Sequence, residues 1–206
     1  MIITYHGLES FKIQLGATTL ALNPIAKESK HKSTSFGADI VLVSVNHPDM
    51  NGVSSASRGE AEPFVIAGAG EYEVSDVFVR GFGTATRYGG AKRNTAYTIR
   101  LEGMRLCYLG ALGTPELPAD LEEAVEEVDV LFVPVGASGV LSPKDAHRLA
   151  VYLEPKVVIP MYHDTQSLAA FLKEEGEQNG EQLEKLTIKP KDVAGKSGEV
   201  VVLKAV

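Results

Sequence analysis

His47 and Asp49 are the pair in this chain whose side chains and placement most readily suggest chemistry. They lie in Asn46-His47-Pro48-Asp49-Met50-Asn51-Gly52, directly after the apolar run Val41 to Val45. A buried strand that opens into a polar loop at its C-terminal end is where sheet proteins usually place binding and catalytic groups. An imidazole and a carboxylate two residues apart could share a divalent ion or move a proton. Zinc sites normally use three or four protein ligands, so this pair alone would hold zinc or manganese weakly. Two structural roles compete with that chemistry. His47 could donate to a backbone carbonyl or to Asp49, and Asp49 could accept backbone amides two residues on and fix the turn.

Other candidate groups carry weaker signals. Arg87-Tyr88-Gly89-Gly90-Ala91-Lys92-Arg93 is a locally basic, glycine-rich stretch. Its amides and the Arg87 guanidinium could receive an anion, although an exposed hairpin tip is the plainer reading. His6, His31 and His147 read as surface or half-buried histidines. Gly68-Ala69-Gly70-Glu71 lacks the strand-to-helix context of a nucleotide loop and reads as turn chemistry. Cys107, between Leu106 and Leu109 in an apolar run, reads as a buried, inert thiol.

The elements that must position these groups follow from periodicity. Short runs rich in β-branched residues predict strands at Ile2-Tyr5, Phe11-Leu15, Thr18-Leu22, Ile40-Ser44, Phe64-Ala67, Tyr72-Val74 and Val77-Arg80. Thr95-Leu101 and Met104-Leu109 flank Glu102-Gly103, a natural two-residue hairpin turn. Helix and strand then alternate: a helix over Pro118-Val128, a strand over Val130-Val135, and a helix capped by Ser142-Pro143 that ends before Pro155. A strand at Val157-Pro160, a helix from Asp164-Thr165 to about Glu175 and strands at Leu186-Lys189 and Glu199-Lys204 complete the chain. The acidic run from Glu122 to Glu127 interleaves with Leu121, Ala124, Val125 and Val128, the pattern of an amphipathic helix with a solvated face. The polar segment Glu174 to Glu181 reads as a surface loop. No repeat or linker divides the chain, so a single domain over 1–206 is expected.

Composition narrows the function classes. The chain has 206 residues, enough for one well-buried core, and a net charge of −7. An acidic surface with scattered Lys and Arg argues against a nucleic-acid partner. No apolar run is long enough to span a bilayer, and the N-terminus has no signal-peptide pattern. With a single cysteine there is no internal disulfide, and a cytoplasmic location is expected.

Several segments together resemble the metallo-β-lactamase superfamily, in particular its branch of ascorbate-phosphate-lactonase-like proteins and predicted Zn-dependent hydrolases. Ser44 to Gly52 is similar to the signature T-H-x-H-x-D-H-x-G, with His47, Asp49 and Gly52 in place and Val45 and Met50 where two histidines would stand. Gly7-Leu8-Glu9-Ser10-Phe11 is similar to G-H-S-x-F, with Leu8 at the His. Leu22-Asn23-Pro24, Asn94-Thr95-Ala96-Tyr97 and Gly103-Met104-Arg105-Leu106 match the branch's I-D-P, N-T-x-Y and G-x-R-I. Leu109-Gly110-Ala111-Leu112-Gly113 has Ala111 at the position of a metal-bridging Asp. Val157 to His163 matches V-V-I-P-M-H-Y, with Tyr162 and His163 exchanged. The resemblance implies a four-layer αββα sandwich of the α/β class and an ancestral dinuclear zinc centre. In the family the His and Asp of the signature loop serve different metals, and the Asp also orients the attacking water.

Of the ligand positions in that pattern, only His47 and Asp49 keep their side chains in place, and no histidine lies between 48 and 146. Three functions follow as alternatives. One is a non-catalytic descendant that binds a small molecule or a partner protein through the old cleft, lined by His47, Asp49, Arg87 and Tyr162. Another is a hydrolase of an ester, lactone or phosphoester using one metal, a weakly held zinc or manganese, on His47, Asp49 and His163. In that case Asp49 is the catalytic residue. The last is a structural subunit of a homo-oligomer. Strand alternation predicts that Tyr162 faces the cleft, bonded near Asp49 or His47, and that His163 points away.

Overall fold

Alternating burial along the strands builds two sheets whose apolar faces meet. The computed structural model describes residues 1–136, 138–176 and 181–206. Its strands are β1 (Ile2–Tyr5), β2 (Phe11–Leu15), β3 (Thr18–Leu22), β4 (Ile40–Leu42), β5 (Phe64–Ile66), β6 (Gly70–Val74), β7 (Val77–Ala85), β8 (Arg93–Leu101), β9 (Met104–Tyr108), β10 (Val130–Pro134) and β11 (Val157–Met161). The short strands β12 (Gln182–Leu183), β13 (Leu186–Thr187), β14 (Glu199–Val200) and β15 (Val202–Leu203) follow. The helices are α1 (Ala119–Ala124), α2 (Pro143–Leu153), α3 (Thr165–Glu174) and α4 (Pro190–Val193).

One sheet has the order β13-β1-β2-β3-β4-β5 and the other β14-β11-β10-β9-β8-β7-β6, with β12 and β15 as a separate pair. Hairpins make β1 to β3 and β6 to β9 antiparallel, whereas β10, β11 and β14 run parallel to their neighbours across helical connections. At the β8–β9 turn, Glu102 and Gly103 both have positive φ (45° and 75°), as a two-residue hairpin with matching twist requires.

Between the sheets, Ile3, Phe11, Ile13, Leu20, Ile40 and Leu42 pack against Val79, Tyr97, Ile99, Leu106, Phe132 and Ile159. The Phe132 ring meets Phe11 edge-on at 4.9 Å and Tyr108 at 5.9 Å, which stitches both sheets together. Removing so central a ring would cost about 3–5 kcal/mol. Leu121, Leu149, Leu168 and Phe171 of α1 to α3 cover Phe82, Cys107, Leu131 and Val133 on the outer side of the second sheet. Outside the first sheet the cover is thin. Ala21, Val41 and Val43 lie under Phe36, Ala38 and the 3-10 turn Val53–Ala56. This is the expected αββα order, with one outer layer reduced to a short turn and loops.

The helix caps follow the sequence signals. Ser142 accepts the Asp145 amide at the start of α2, and Asp164 with Ser167 forms a reciprocal cap on α3. The expected helix from Pro118 regularises only over Ala119–Ala124. The expected strand from Val77 runs on to Ala85. Residues 177–180 of the polar segment lie outside the described residues.

Candidate functional site

At the C-terminal ends of the strands the loop after β4 is pinned on two sides. Its own turn closes through the Met50 and Asn51 amides, both donating to the His47 carbonyl at 2.8 and 2.9 Å. The Pro48 carbonyl accepts from Ala26 and the Gly52 amide donates to Pro24. A Cβ on Gly52 would sit 2.4 Å from the Ile25–Ala26 backbone, so this close approach needs glycine.

The loop presents Asp49, only 8% exposed, to two hydroxyls. Ser29 Oγ donates to Oδ1 at 2.5 Å, and Tyr88 Oη donates to Oδ2 at 2.5 Å. Burial alone would raise the Asp49 carboxyl, but these two bonds, with His47 and His31 nearby, bring it below the ordinary aspartate value. Backbone amides of the turn, expected as its partners, are not. Its own N–H instead donates to His47 Nδ1 at 3.2 Å. That corrects the role expected of His47, which accepts where a donor was anticipated. The same Nδ1 lies 3.4 Å from Asp49 Oδ2.

Tyr88 was missed by sequence reasoning, which put Arg87 in the cleft. Arg87 is exposed, and its backbone N–H donates to the Gly139 carbonyl at 3.1 Å. The next residue turns inward because the chain folds there into the 3-10 turn Tyr88–Gly90, with Gly89 at φ 55°. A Cβ on Gly89 would lie 2.7 Å from the His47 ring, so the turn can seat against that imidazole only as glycine. Tyr88 meets His47 edge-on at 5.3 Å and Tyr162 at 5.2 Å. Its phenol is driven far above the ordinary tyrosine value by burial and by donating to Asp49, so it stays protonated and acts as a donor. A tyrosine within the only basic, glycine-rich stretch was the available signal.

Val45, Met50, Ala111, Tyr88 and Val140 form one buried cluster, with Tyr162 and Ala91 packed against it. The three apolar residues that replace ligands in the sequence pattern therefore converge in space. Tyr162 faces this cluster, as alternation predicts, with φ 50° and its amide donating to the Leu8 carbonyl at 2.6 Å. Its expected bond to Asp49 or His47 is replaced by contact with Tyr88, which itself carries the bond to Asp49. Burial raises the Tyr162 phenol, and the Tyr88 hydroxyl opposes that rise.

His163 leaves in another direction. Its ring lies 6.0 Å from Tyr5, and it lines a cavity of about 240 Å³ with Leu8, Gly136, Ser138, Asp164 and Ser167, which Tyr162 also borders. Burial lowers its imidazole despite the neighbouring Asp164. Among the described residues, no three His, Cys, Asp or Glu side chains are grouped so as to hold a metal ion. The three-ligand set of His47, Asp49 and His163 is thus not assembled.

Glu9 was also missed. It is fully buried beneath the cleft, accepts from Asn23 Nδ2 at 3.1 Å through Oε2, and leaves Oε1 without a protein partner. Asn23 also holds the start of the loop after β4, since its Oδ1 accepts the Ser44 amide at 2.7 Å. Burial pushes the Glu9 carboxyl up to about 8, with Asn23 opposing and Asp49 adding to the rise. A carboxyl between Gly7-Leu8 and the core residue Phe11 was the sequence signal for it.

The comparisons with known proteins agree with this architecture. A family model described as a β-lactamase superfamily domain matches residues 2–162. A metal-dependent hydrolase of Pelotomaculum thermopropionicum is 26% identical over 206 residues, covering 82% of this chain and 86% of that protein. One from Lysinibacillus sphaericus is 24% identical over 198 residues, covering 80% and 86%. A Thermotoga maritima structure assigned to the Zn-dependent hydrolases of the metallo-β-lactamase superfamily superposes with a TM-score of 0.79 at 28% identity, covering 98% of this chain and 97% of that one. The short form of human tRNase Z shares the fold alone, with a TM-score of 0.62 at 10% identity over 92% of this chain and all of that one. No helix among the described residues is long and apolar enough to cross a membrane.

Proposed function

The chain belongs to the metallo-β-lactamase superfamily, and from that premise we propose that it is a non-catalytic member that binds a small molecule or a partner protein through the old cleft. The observation that carries this reading is the packing of Val45, Met50 and Ala111 with Tyr88 and Tyr162 at the positions where the family pattern has metal ligands. The donor set there does not fit a divalent ion. Apolar side chains cannot replace the water that a dication loses on entering, and a phenol with a raised pKa is a poor ligand near neutrality.

The surviving carboxylate is also engaged. Asp49 receives a hydroxyl on each oxygen, so a lone pair of each is already engaged by Ser29 and Tyr88. In this reading the cleft carries out no metal-dependent hydrolysis. His47 and Asp49 act in this reading as the frame of a recognition loop, with the half-buried His47 and Tyr162 rings forming its surface and Tyr88 supporting both from beneath.

The test is elemental analysis after purification without chelator, with zinc and manganese titration by calorimetry. Well under one equivalent of metal per chain, and no saturable uptake at micromolar ion, is the expected outcome. Two tightly held ions per chain would overturn the proposal, and one stoichiometric ion lost in Asp49→Asn would favour the single-metal hydrolase.

A further inference from the structure

The helical layer does not cover the whole outer face of the second sheet. Phe82, Ala96 and Cys107 on β7, β8 and β9 are buried under α1 to α3. Farther along the same face, Phe78 is 38% exposed, Arg80, Arg100 and Arg105 are exposed, and Thr98 is half-buried. Arg80 lies over the Phe82 ring at 5.1 Å and so marks the boundary. The uncovered part forms a groove of about 370 Å³, walled on its other side by Ala124, Glu127 and Val128 at the end of α1.

Register concentrates positive charge in this groove. Arg100 is directly opposite Arg105 on the neighbouring strand and opposite Phe78 on the other side. Like charges at directly paired positions destabilise a sheet unless something neutralises them. Arg105 is neutralised by Glu127 at 2.6 Å and Arg80 by Glu71 at 3.0 Å. Arg100 forms no ion pair with any carboxylate among the described residues, and its guanidinium carbon lies over the Phe78 ring, 4.7 Å from the centroid. In a chain of net charge −7, an arginine without an acid, held over a partly exposed ring in a groove, is arranged to meet an anion.

We propose that this groove is a second ligand site, separate from the cleft, for a small anion carried on a flat apolar ring, of the aryl phosphate class. Arg100 receives two anionic oxygens in the bidentate geometry its planar fork favours. The Thr98 hydroxyl supplies a donor on the next row, and the ligand ring packs on the exposed part of Phe78, while Arg105 stays paired with Glu127.

Phenyl phosphate is the probe, titrated into the intact 15N-labelled chain, with inorganic phosphate and benzyl alcohol as the anion-only and ring-only controls. Saturable shifts should map to the amides of 78–80 and 98–105, with weaker binding of inorganic phosphate and none of benzyl alcohol. Arg100→Gln should weaken phenyl phosphate by about tenfold or more, the loss of one charge-assisted bidentate contact. Phe78→Leu should erase the preference over inorganic phosphate. Both positions are exposed, and unchanged melting curves would establish that each variant is folded. Absence of saturable shifts, shifts confined to residues 46–52, or an Arg100→Gln variant that binds like the parent would each overturn the assignment. None of these results bears on metal content at the cleft, so the two readings fail independently.

Discussion

Replacing Glu9 by Gln should make the protein more stable at alkaline pH while leaving its stability at pH 4 almost unchanged. Glu9 is fully buried, has one oxygen without a partner, and titrates near 8 in the folded chain against 4.5 when unfolded. A raised carboxyl binds its proton more tightly in the folded state, so folding stability falls as pH rises from the unfolded value towards the folded one. At about 1.4 kcal/mol for each pH unit in that window, ionising Glu9 costs the fold on the order of 5 kcal/mol. Gln keeps the oxygen that accepts from Asn23 and places a neutral amide at Oε1, so the cost disappears. For a domain of this size about 5 kcal/mol corresponds to a melting difference of roughly 10–20 °C above pH 8. Denaturant unfolding of parent and Glu9→Gln at a series of pH values between 4 and 9 reads the effect directly. Parallel pH profiles for the two proteins would refute the placement of a protonated carboxyl beneath the cleft. A variant less stable at every pH would show instead that Oε1 has no room for an amide.

Tyr88→Phe should cost about 1–3 kcal/mol in denaturant unfolding at neutral pH, because it leaves one buried oxygen of Asp49 without a donor. Since the Asp49 carboxyl is depressed in the fold, this cost is full above the unfolded aspartate value and should fade as pH drops through the lower folded one; a pH-independent cost would point to lost packing instead. A chelator in excess should leave the melting temperature unchanged, because two apolar cores carry the scaffold; a drop of many degrees would expose a structural metal. Cys107, fully buried with its thiol pushed up to about 12, should resist thiol reagents in the native chain and react once unfolded. Native labelling at the unfolded rate would contradict that burial.

The strands and helices were legible because their periods are clean. β1, β2 and β3 match their predicted spans to the residue, and Ser142-Pro143 and Asp164 mark their helices by capping chemistry. The loop bearing His47 and Asp49 was legible for the same reason, as a polar break after a fully apolar strand. What the sequence could not supply was which distant residues close on that loop. Tyr88 lies 39 positions from Asp49, and it turns inward only because Gly89 allows a tight turn against His47. Arg87, its neighbour, drew attention through its charge, yet charge is what keeps it in water. Glu9 was hidden for the opposite reason. A lone acidic residue near a turn reads as surface, and only the Asn23 amide and the Tyr108 hydroxyl, which donates to the Glu9 carbonyl at 2.6 Å, account for its burial.

These two residues give the proposed loss of metal an electrostatic logic. Carboxylates that once faced dications would repel one another if the ions left and nothing else changed. Here the position of the bridging acid is Ala111, which removes one charge outright. Asp49 stays ionised, but hydroxyls from Ser29 and Tyr88 now occupy both of its oxygens. Glu9, close enough to feel Asp49, is held protonated near neutrality and so adds no second charge. Each adjustment lowers the same cost by a different route, and Met50 and Val45 fill the space left over. Reversal by a single histidine should therefore fail. Met50→His alone would set an imidazole against Tyr88 and a hydroxyl-capped Asp49, and it should lose core packing without gaining zinc. Stoichiometric zinc uptake by that one variant, measured by elemental analysis, would mean that the cleft still holds the geometry of a metal site.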